Sequence, residues 1–205
     1  MCAGPARHQS AAALVRSRPS SELCNSFYDF AINDFALFRI SPYLLAIKTT
    51  IRDAKLADTE IIADFNARMA LETEQRHLDI ERVRLGVHAL LTDPAKGAYY
   101  IAESDANDAK KIVGQLLITY EWSDWRNGNF WWIQSVYVAE GFRGQGIFRA
   151  LFHHVDQLAK SRKDVCGLRL YVDAHNDSAR KTYERLGMKR TNYELFETDF
   201  VLKEH

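Results

Sequence analysis

The most constraining feature of this chain is a glycine-containing turn between a β-rich run and an apolar helical stripe. Residues 136–148 read VYVAEGFRGQGIF, with Gly144 and Gly146 at the turn itself. Because glycine has no Cβ, backbone N–H groups there can approach a ligand closely. A helix that begins after the turn presents unpaired N–H donors and the positive end of its dipole. The pattern therefore predicts an anion site suited to phosphate, to which Arg143 adds a forked cationic donor.

A second pattern follows in residues 170–188, which read LYVDAHNDSARKTYERLGM. A strand-like run gives way to a helix on which Asn176, Ala179 and Tyr183 are three and four residues apart, so they share one face. Gly187 is typical of the residue that ends a helix, with hydrophobic Met188 after it. Asn176 is also a typical N-cap residue.

Together the two segments resemble the GNAT superfamily of acyl-CoA-dependent N-acetyltransferases. Arg143 to Gly146 matches that family's Arg/Gln-x-x-Gly-x-Gly/Ala pyrophosphate turn, except that Phe148 stands where the family usually has Gly or Ala. Asn176-x-x-Ala179-x-x-x-Tyr183-x-x-x-Gly187 matches the second motif closely. The resemblance covers roughly residues 49–203. It implies an α/β (α+β) fold, with a mixed, strongly twisted β-sheet flanked by helices on both faces.

The resemblance also implies acetyl-CoA as acyl donor and an amine of a small molecule or polypeptide as acceptor. The residues expected to bind the donor through the turn are Arg143, Gly144, Gln145, Gly146, Ile147 and Phe148. Those expected beside its pantetheine arm are Val136, Tyr137, Val138 and Asn176. Tyr183 is the expected general acid, because a phenol with a pKa of about 10 can protonate a departing thiolate of pKa about 8.5.

The general base is left open by the sequence. Many family members place a glutamate on the strand before the turn, whereas this chain has Gln134, which can position water or substrate but cannot accept the proton. Glu72 and Glu74, at the end of the first expected helix, can hold a cationic amine or relay its proton, or form a solvated helix end. No metal is expected, since Cys2, Cys24 and Cys166 are widely spaced and His153–His154 has no matching ligands.

Gln134 and Phe148 raise an alternative of another class, a catalytically silent CoA-binding sensor or interaction module of the same fold. If the turn does bind phosphate, the Phe148 side chain must point into the core, where Phe152 lies four residues on. The alternation of strand side chains places Trp131 and Trp132 on opposite faces, one in the core and the other in an acceptor pocket or a homodimer contact.

Composition excludes several other classes. The 205 residues carry 27 Lys and Arg against 27 Asp and Glu, so no basic field for nucleic acid is expected. No apolar run reaches the ~18 residues needed to span a membrane. Few, scattered cysteines favour a reducing, cytoplasmic location. A mitochondrial location is the alternative, because residues 1–21 hold Arg7, Arg16 and Arg18 and no acidic residue.

We expect an N-terminal extension, residues 1–47, that is partly disordered or holds a targeting segment, followed by a GNAT-like domain, residues 48–205. Residues 26–47 are apolar and aromatic enough for an extra helix or strand. Within the domain, periodicity and turn signals predict strands at 49–54, 98–102, 112–120, 130–138, 165–173 and about 193–202. Helices are predicted from Asp58, which is the expected N-cap, to about Glu72, over 79–91, after the glycine turn, and over 176–187.

Overall fold

A computed structural model of the protein describes residues 48–105 and 110–202. Its elements in chain order are β1 (Thr49–Asp53), α1 (Thr59–Glu74), α2 (Ile80–Leu91), β2 (Ala98–Ser104), β3 (Lys111–Ser123), β4 (Gly128–Val138), α3 (Ile147–Ser161), β5 (Val165–Leu170) and α4 (Asp177–Arg185). The expectations for the targeting segment at 1–21 and for an extra element at 26–47 lie outside the described residues. No described helix has the length and apolarity needed to cross a bilayer.

The strands form one sheet in the order β1-β2-β3-β4-β5. Every neighbouring pair is antiparallel except β4 and β5, which are parallel. A parallel pair needs a crossover connection, and α3 supplies it between β4 and β5. The predicted mixed sheet is therefore confirmed.

Alternation along β2 divides the core into two layers, one on each face of the sheet. Tyr99 and Ile101 pack against α1 and α2. Tyr100 and Ala102 face the opposite layer, where α3 buries its apolar stripe. The buried members of that stripe are Ile147, Phe148, Leu151, Phe152, Val155 and Ala159. Helices thus cover both faces, as predicted.

The two tryptophans of β4 follow the same alternation. Trp131 is buried in the α3 layer, whereas the partly buried Trp132 lies on the opposite face. Trp122 and Trp125, near the β3–β4 turn, are both exposed. The predicted division of Trp131 and Trp132 between the two faces is confirmed.

Asp58 has a different role from the one predicted. It occupies the N-cap position of α1, but its side chain makes no capping hydrogen bond. Its carboxylate instead accepts hydrogen bonds from the Arg52 guanidinium, at 2.9 and 3.1 Å, and from the Lys55 backbone N–H. A charge-assisted, two-oxygen contact with arginine outcompetes a neutral cap. At α2 a side-chain cap does form, with Asp79 accepting from the backbone N–H groups of Glu81 and Arg82.

The predicted last strand at about 193–202 is wrong. These residues form no strand, and their large side chains are exposed, including Tyr193, Phe196 and Phe200. Asp199 accepts hydrogen bonds from the backbone N–H groups of Val201 and Leu202, so part of the segment is held in a local turn. A side chain that satisfies nearby backbone donors competes with strand pairing.

Two glycines give a paired stability test. A Cβ at Gly97 would lie 2.2 Å from the Ile118 carbonyl oxygen, whereas a Cβ at Gly86, in the exposed face of α2, would meet nothing within 4 Å. We expect Gly97→Ala to lower the free energy of unfolding by about 2–3 kcal/mol through overpacking. Gly86→Ala should raise it by about 0.5–1 kcal/mol. Urea denaturation measures both, and an unchanged midpoint for Gly97→Ala would contradict the close approach.

Candidate functional site

The candidate site begins where β4 loses one of its two neighbours. β5 pairs with β4 from Asn129↔Val165 as far as Ile133↔Leu170. β4 continues to Val138, and among the described residues no strand pairs with 134–138 on the β5 side. The predicted donor-arm residues Val136, Tyr137 and Val138 all lie in this stretch. An unpaired strand edge offers backbone groups to an extended ligand.

A β-bulge marks the same point on the β3 side. The β3–β4 register shifts between Gln115 and Leu117, and Ser135 has a φ of 45°. The buried Gln115 amide donates to the Ser135 carbonyl at 3.3 Å and to the Asn66 side-chain oxygen at 2.7 Å. Asn66 in turn donates to the Tyr99 hydroxyl at 3.0 Å. This buried network holds the bulge, and bulges bend a strand and re-aim its side chains.

The glycine turn has the geometry expected of an anion site. Gly144 and Gly146 have φ values of 75° and 81°, and Gly146 is the N-cap of α3 with no side-chain cap. The side chains of Ile147 and Phe148 are buried beneath the turn. The first N–H donors of α3 are therefore not capped by a side chain, while the apolar residues that carry them anchor the helix in the core.

The Arg143 side chain contacts β4 and α1. Its Nε donates to the Val138 carbonyl at 2.8 Å, and its Nη2 donates to Glu72 at 2.5 Å. Its guanidinium also lies 5.4 Å from the centre of the Tyr137 ring. The side chain is only 12% exposed. Arg143 thus binds the turn to β4 and α1, and its predicted contact with phosphate remains a prediction.

Glu72, the predicted catalytic carboxylate, is held by two partners at the end of α1. One oxygen accepts from the Tyr137 hydroxyl at 2.8 Å and the other from Arg143. Burial, together with the hydrogen bond to Glu72, raises the pKa of Tyr137 to about 12. The structure therefore brings Glu72 to the glycine turn, as part of a cluster that we call the Glu72–Tyr137–Arg143 joint. Glu74, two residues on, is exposed.

Gln134 stands at the point where β4 and β5 part. Its amide donates to the Thr119 hydroxyl on β3 at 2.8 Å. It lies two residues beyond Trp132, so the two side chains share the sheet face that also carries α1. Gln145, by contrast, is exposed and donates to the Gly141 carbonyl within the turn region.

The second motif forms α4 and its two ends. The buried Asn176 side chain caps the helix by accepting from the Ala179 N–H at 2.8 Å, which confirms its predicted structural role. Gly187 donates to the Glu184 carbonyl and Met188 to the Tyr183 carbonyl, so the helix ends in a Schellman motif. The predicted stop at Gly187, which has a φ of 89°, is confirmed.

Tyr183 links the two motifs. Its ring meets the Phe148 ring edge-on, with centroids 6.0 Å apart, and Phe148 also lies 6.2 Å from Phe152. Phe148 is only 3% exposed, so its predicted turn into the core is confirmed. Burial raises the pKa of Tyr183 to about 12. The phenol therefore keeps its proton throughout the neutral pH range.

Sequence reasoning missed one group of residues on the α1 face of the sheet. Trp132 stacks on Tyr171, and Glu121 joins Trp132 to Arg169. The alternation of residues along β3 and β4 predicts that some of these side chains share a face, but it does not predict which of them contact one another. Cys166 is partly buried, and His154 packs edge-on against Tyr100. Among the described residues, no three His, Cys, Asp or Glu are grouped so as to hold a metal ion.

Comparisons with known proteins support the fold and the family. A sequence model of the acetyltransferase (GNAT) family matches residues 60–188. A solved structure of a possible acetyltransferase from Clostridium difficile 630 has 42% sequence identity and a TM-score of 0.69, covering 75% of this chain and 99% of that one. A predicted acetyltransferase from Clostridium acetobutylicum, solved with acetyl-CoA, has a TM-score of 0.59 over 74% of this chain and 96% of that one. Its identity is 18%, so that likeness is one of fold alone.

One curated relative is much longer than the matched region. Mycothiol acetyltransferase from Corynebacterium aurimucosum is 30% identical over 135 residues, which are 63% of this chain and 42% of that protein. The chain thus spans less than half the length of that relative.

The joint predicts a local loss of stability on mutation. We expect Glu72→Ala to lower the free energy of unfolding by about 1–3 kcal/mol, because the partly buried Arg143 and the buried Tyr137 lose a shared acceptor. Glu74→Ala, which changes an exposed residue of the same helix end, should stay within about 0.5 kcal/mol of wild type. Thermal and urea denaturation compare the two. Equal losses in both variants would show that the contacts of Glu72 contribute nothing of their own.

Proposed function

The chain belongs to the GNAT family of acetyltransferases, and we propose that it transfers an acetyl group from acetyl-CoA to a primary amine. The amine is carried by a small molecule or by a polypeptide. The observation that carries this proposal is the contact between Phe148 and Tyr183, because it joins the helix of the glycine turn to the aromatic residue of the second motif. The fold shared with a structure solved with acetyl-CoA supports the choice of donor.

The glycine turn suits the pyrophosphate of the donor. α3 begins at Gly146 without a side-chain cap, and a Cβ at Gly146 would meet only the side chain of Arg149 within 4 Å. Backbone N–H groups from Gly144 to Phe148 would hold the phosphates, helped by the helix dipole. The pantetheine arm would run along 136–138, on the β4 edge that β5 leaves, with Asn176 as a further hydrogen-bonding partner.

The reaction that these residues support is direct attack in a ternary complex. The neutral amine nitrogen bonds to the thioester carbonyl carbon, and the oxygen accepts a hydrogen bond from a strand N–H near Val138. The carbon–sulfur bond then breaks, and Tyr183 gives its proton to the departing sulfur. After the attack the nitrogen loses its extra proton to water, and the Tyr183 phenolate takes a proton back from water. The transfer therefore leaves Tyr183 in its starting state. A pKa of about 12 keeps this donor protonated at neutral pH.

In this scheme Glu72 is a positioning residue and the amine loses its proton to water. Both Glu72 oxygens already accept hydrogen bonds, from Tyr137 and from Arg143, which argues for a role in fixing the turn. Gln134 would orient the amine or a water molecule, since an amide can both donate and accept.

The rival function is a silent CoA-binding sensor, and it rested on Gln134 and Phe148. The inward packing of Phe148 weakens it, because the side chain does not block the N–H donors of the turn. Gln134 alone favours it. Acetylation of any amine in a panel would decide for the transferase, whereas binding of acetyl-CoA without turnover would decide for the sensor.

The first experiment is calorimetric titration of acetyl-CoA into the protein. We expect binding to wild type and a severe loss of affinity in Gly146→Glu. A side chain at a φ of 81° strains the turn, and the added carboxylate repels the phosphates. Gly146→Ala, which adds the strain without the charge, should lose less. Equal affinities in wild type and Gly146→Glu would remove the turn from the donor site.

The role of Tyr183 is tested by kinetics. We expect Tyr183→Phe to lower kcat by about 100-fold or more while the Kd of acetyl-CoA stays unchanged, because only the proton donor is removed. Tyr193→Phe, which removes a hydroxyl from an 81% exposed tyrosine beyond α4, should behave as wild type. Equal turnover in wild type and Tyr183→Phe would make Tyr183 a structural residue.

A further inference from the structure

A stacked aromatic pair bridges β4 and the end of β5. The Trp132 and Tyr171 rings have centroids 4.5 Å apart and an interplanar angle of 28°. Tyr171 follows directly after β5 and is 52% exposed, so part of its ring is open to a ligand. We refer to these two rings as the Trp132–Tyr171 platform.

The platform lies next to the proposed site of acetyl transfer. Ile133↔Leu170 is the last pair between β4 and β5. Trp132 directly precedes this pair on β4, and Tyr171 directly follows it after β5. Gln134 follows Trp132 on the same sheet face, about 7 Å further along the strand. Both rings lie on the sheet face that α1 and α2 cover. On that face Leu117 of β3 is buried under the helices, whereas Thr119 and Glu121, further along β3, are only partly buried.

Neighbouring side chains fix the Trp132 ring in place. Its indole N–H donates to Glu121 on β3. The same carboxylate accepts from Arg169 on β5, at 2.6 and 2.8 Å to its two oxygens. Arg169 in turn lies over the Phe130 ring, 3.7 Å from its centre. A ring fixed in this way binds a ligand with little loss of conformational freedom.

The charges around the platform cancel. Arg169 and Glu121 pair with each other, and hydrogen bonds from Arg169 and Trp132 hold the pKa of Glu121 below its usual value although burial opposes this. The carboxylate and the guanidinium therefore satisfy one another. What the platform offers a ligand is aromatic surface, which favours flat apolar groups by stacking and cations by their attraction to the π face.

We propose that the Trp132–Tyr171 platform is the specificity-determining surface for the acceptor, and that the acceptor is a primary amine carried on a flat, aromatic body by a short alkyl chain. The inference rests on the proposed transferase function. The flat body stacks on the open part of Tyr171, and the short chain carries the amine along β4 toward Gln134 and the parting of the strands. The platform is thus continuous with the donor site across that parting.

The test is calorimetry of amines in the presence of CoA, which carries no acetyl group to transfer. The probes are 2-phenylethylamine, 2-cyclohexylethylamine of similar size without a π face, and ethylamine. We expect wild type to bind 2-phenylethylamine tightest. Tyr171→Ala should lower the affinity for 2-phenylethylamine by about tenfold and leave the affinity for ethylamine unchanged, because only the contact with the ring is lost.

Two variants serve as controls for the platform. Tyr171→Phe keeps the ring and should retain the affinity of wild type, and Tyr193→Ala removes an exposed tyrosine elsewhere. Wild-type affinity for 2-phenylethylamine in Tyr171→Ala would overturn the inference, as would the lack of any preference for the aromatic amine in wild type.

Acetylation of the same panel separates this inference from the proposed function. Acetylation of all three amines with no preference for the ring would overturn the platform and leave the transferase. Ring-dependent binding without acetylation of any amine would retain the platform and overturn the transferase.

Discussion

The candidate site depends on strand β4, which within residues 48–105 and 110–202 has two neighbouring strands along one part of its length and one along the rest. β3 pairs with it up to Val138, whereas β5 leaves it after Ile133. The bulge at Ser135 falls just beyond that point and is held by the buried amide of Gln115. Because a bulge bends its strand and increases the local twist, it directs the last residues of β4 away from β5 and toward the turn that starts α3.

The Glu72–Tyr137–Arg143 joint ties that turn to the other layer of the protein. Glu72 belongs to α1, Tyr137 to β4, and Arg143 to the turn, so one carboxylate connects three parts of the chain. The Tyr137 ring also packs against Phe65 of α1, with centroids 5.0 Å apart. Under the proposed function the donor lies on the turn, and the joint holds that turn in a fixed position relative to α1.

Sequence patterns identified what depends on local geometry. The glycine turn, the cap at Asn176 and the stop at Gly187 follow from residue types that suit a particular backbone conformation, and the structure has all three. The period of α3 likewise predicted that Phe148 points inward. The contact of Arg143 with Glu72 could not be predicted, because the two residues are 71 positions apart and no spacing rule relates two side chains at that separation. The prediction of a strand at about 193–202 failed for a related reason, because alternation indicates a strand only where another strand is available to pair with it.

Phe148 shows how a departure from a family motif can be accommodated. A bulky residue where Gly or Ala is usual can leave the turn open only if its side chain packs inward, and the 3.6-residue period of α3 directs it there, beside Phe152. In that position it meets Tyr183 edge-on and helps to exclude water from it. Loss of water disfavours the charged phenolate, which is why burial raises the pKa of Tyr183 to about 12. The residue that departs from the motif thus belongs to the apolar surroundings that keep the proposed proton donor protonated.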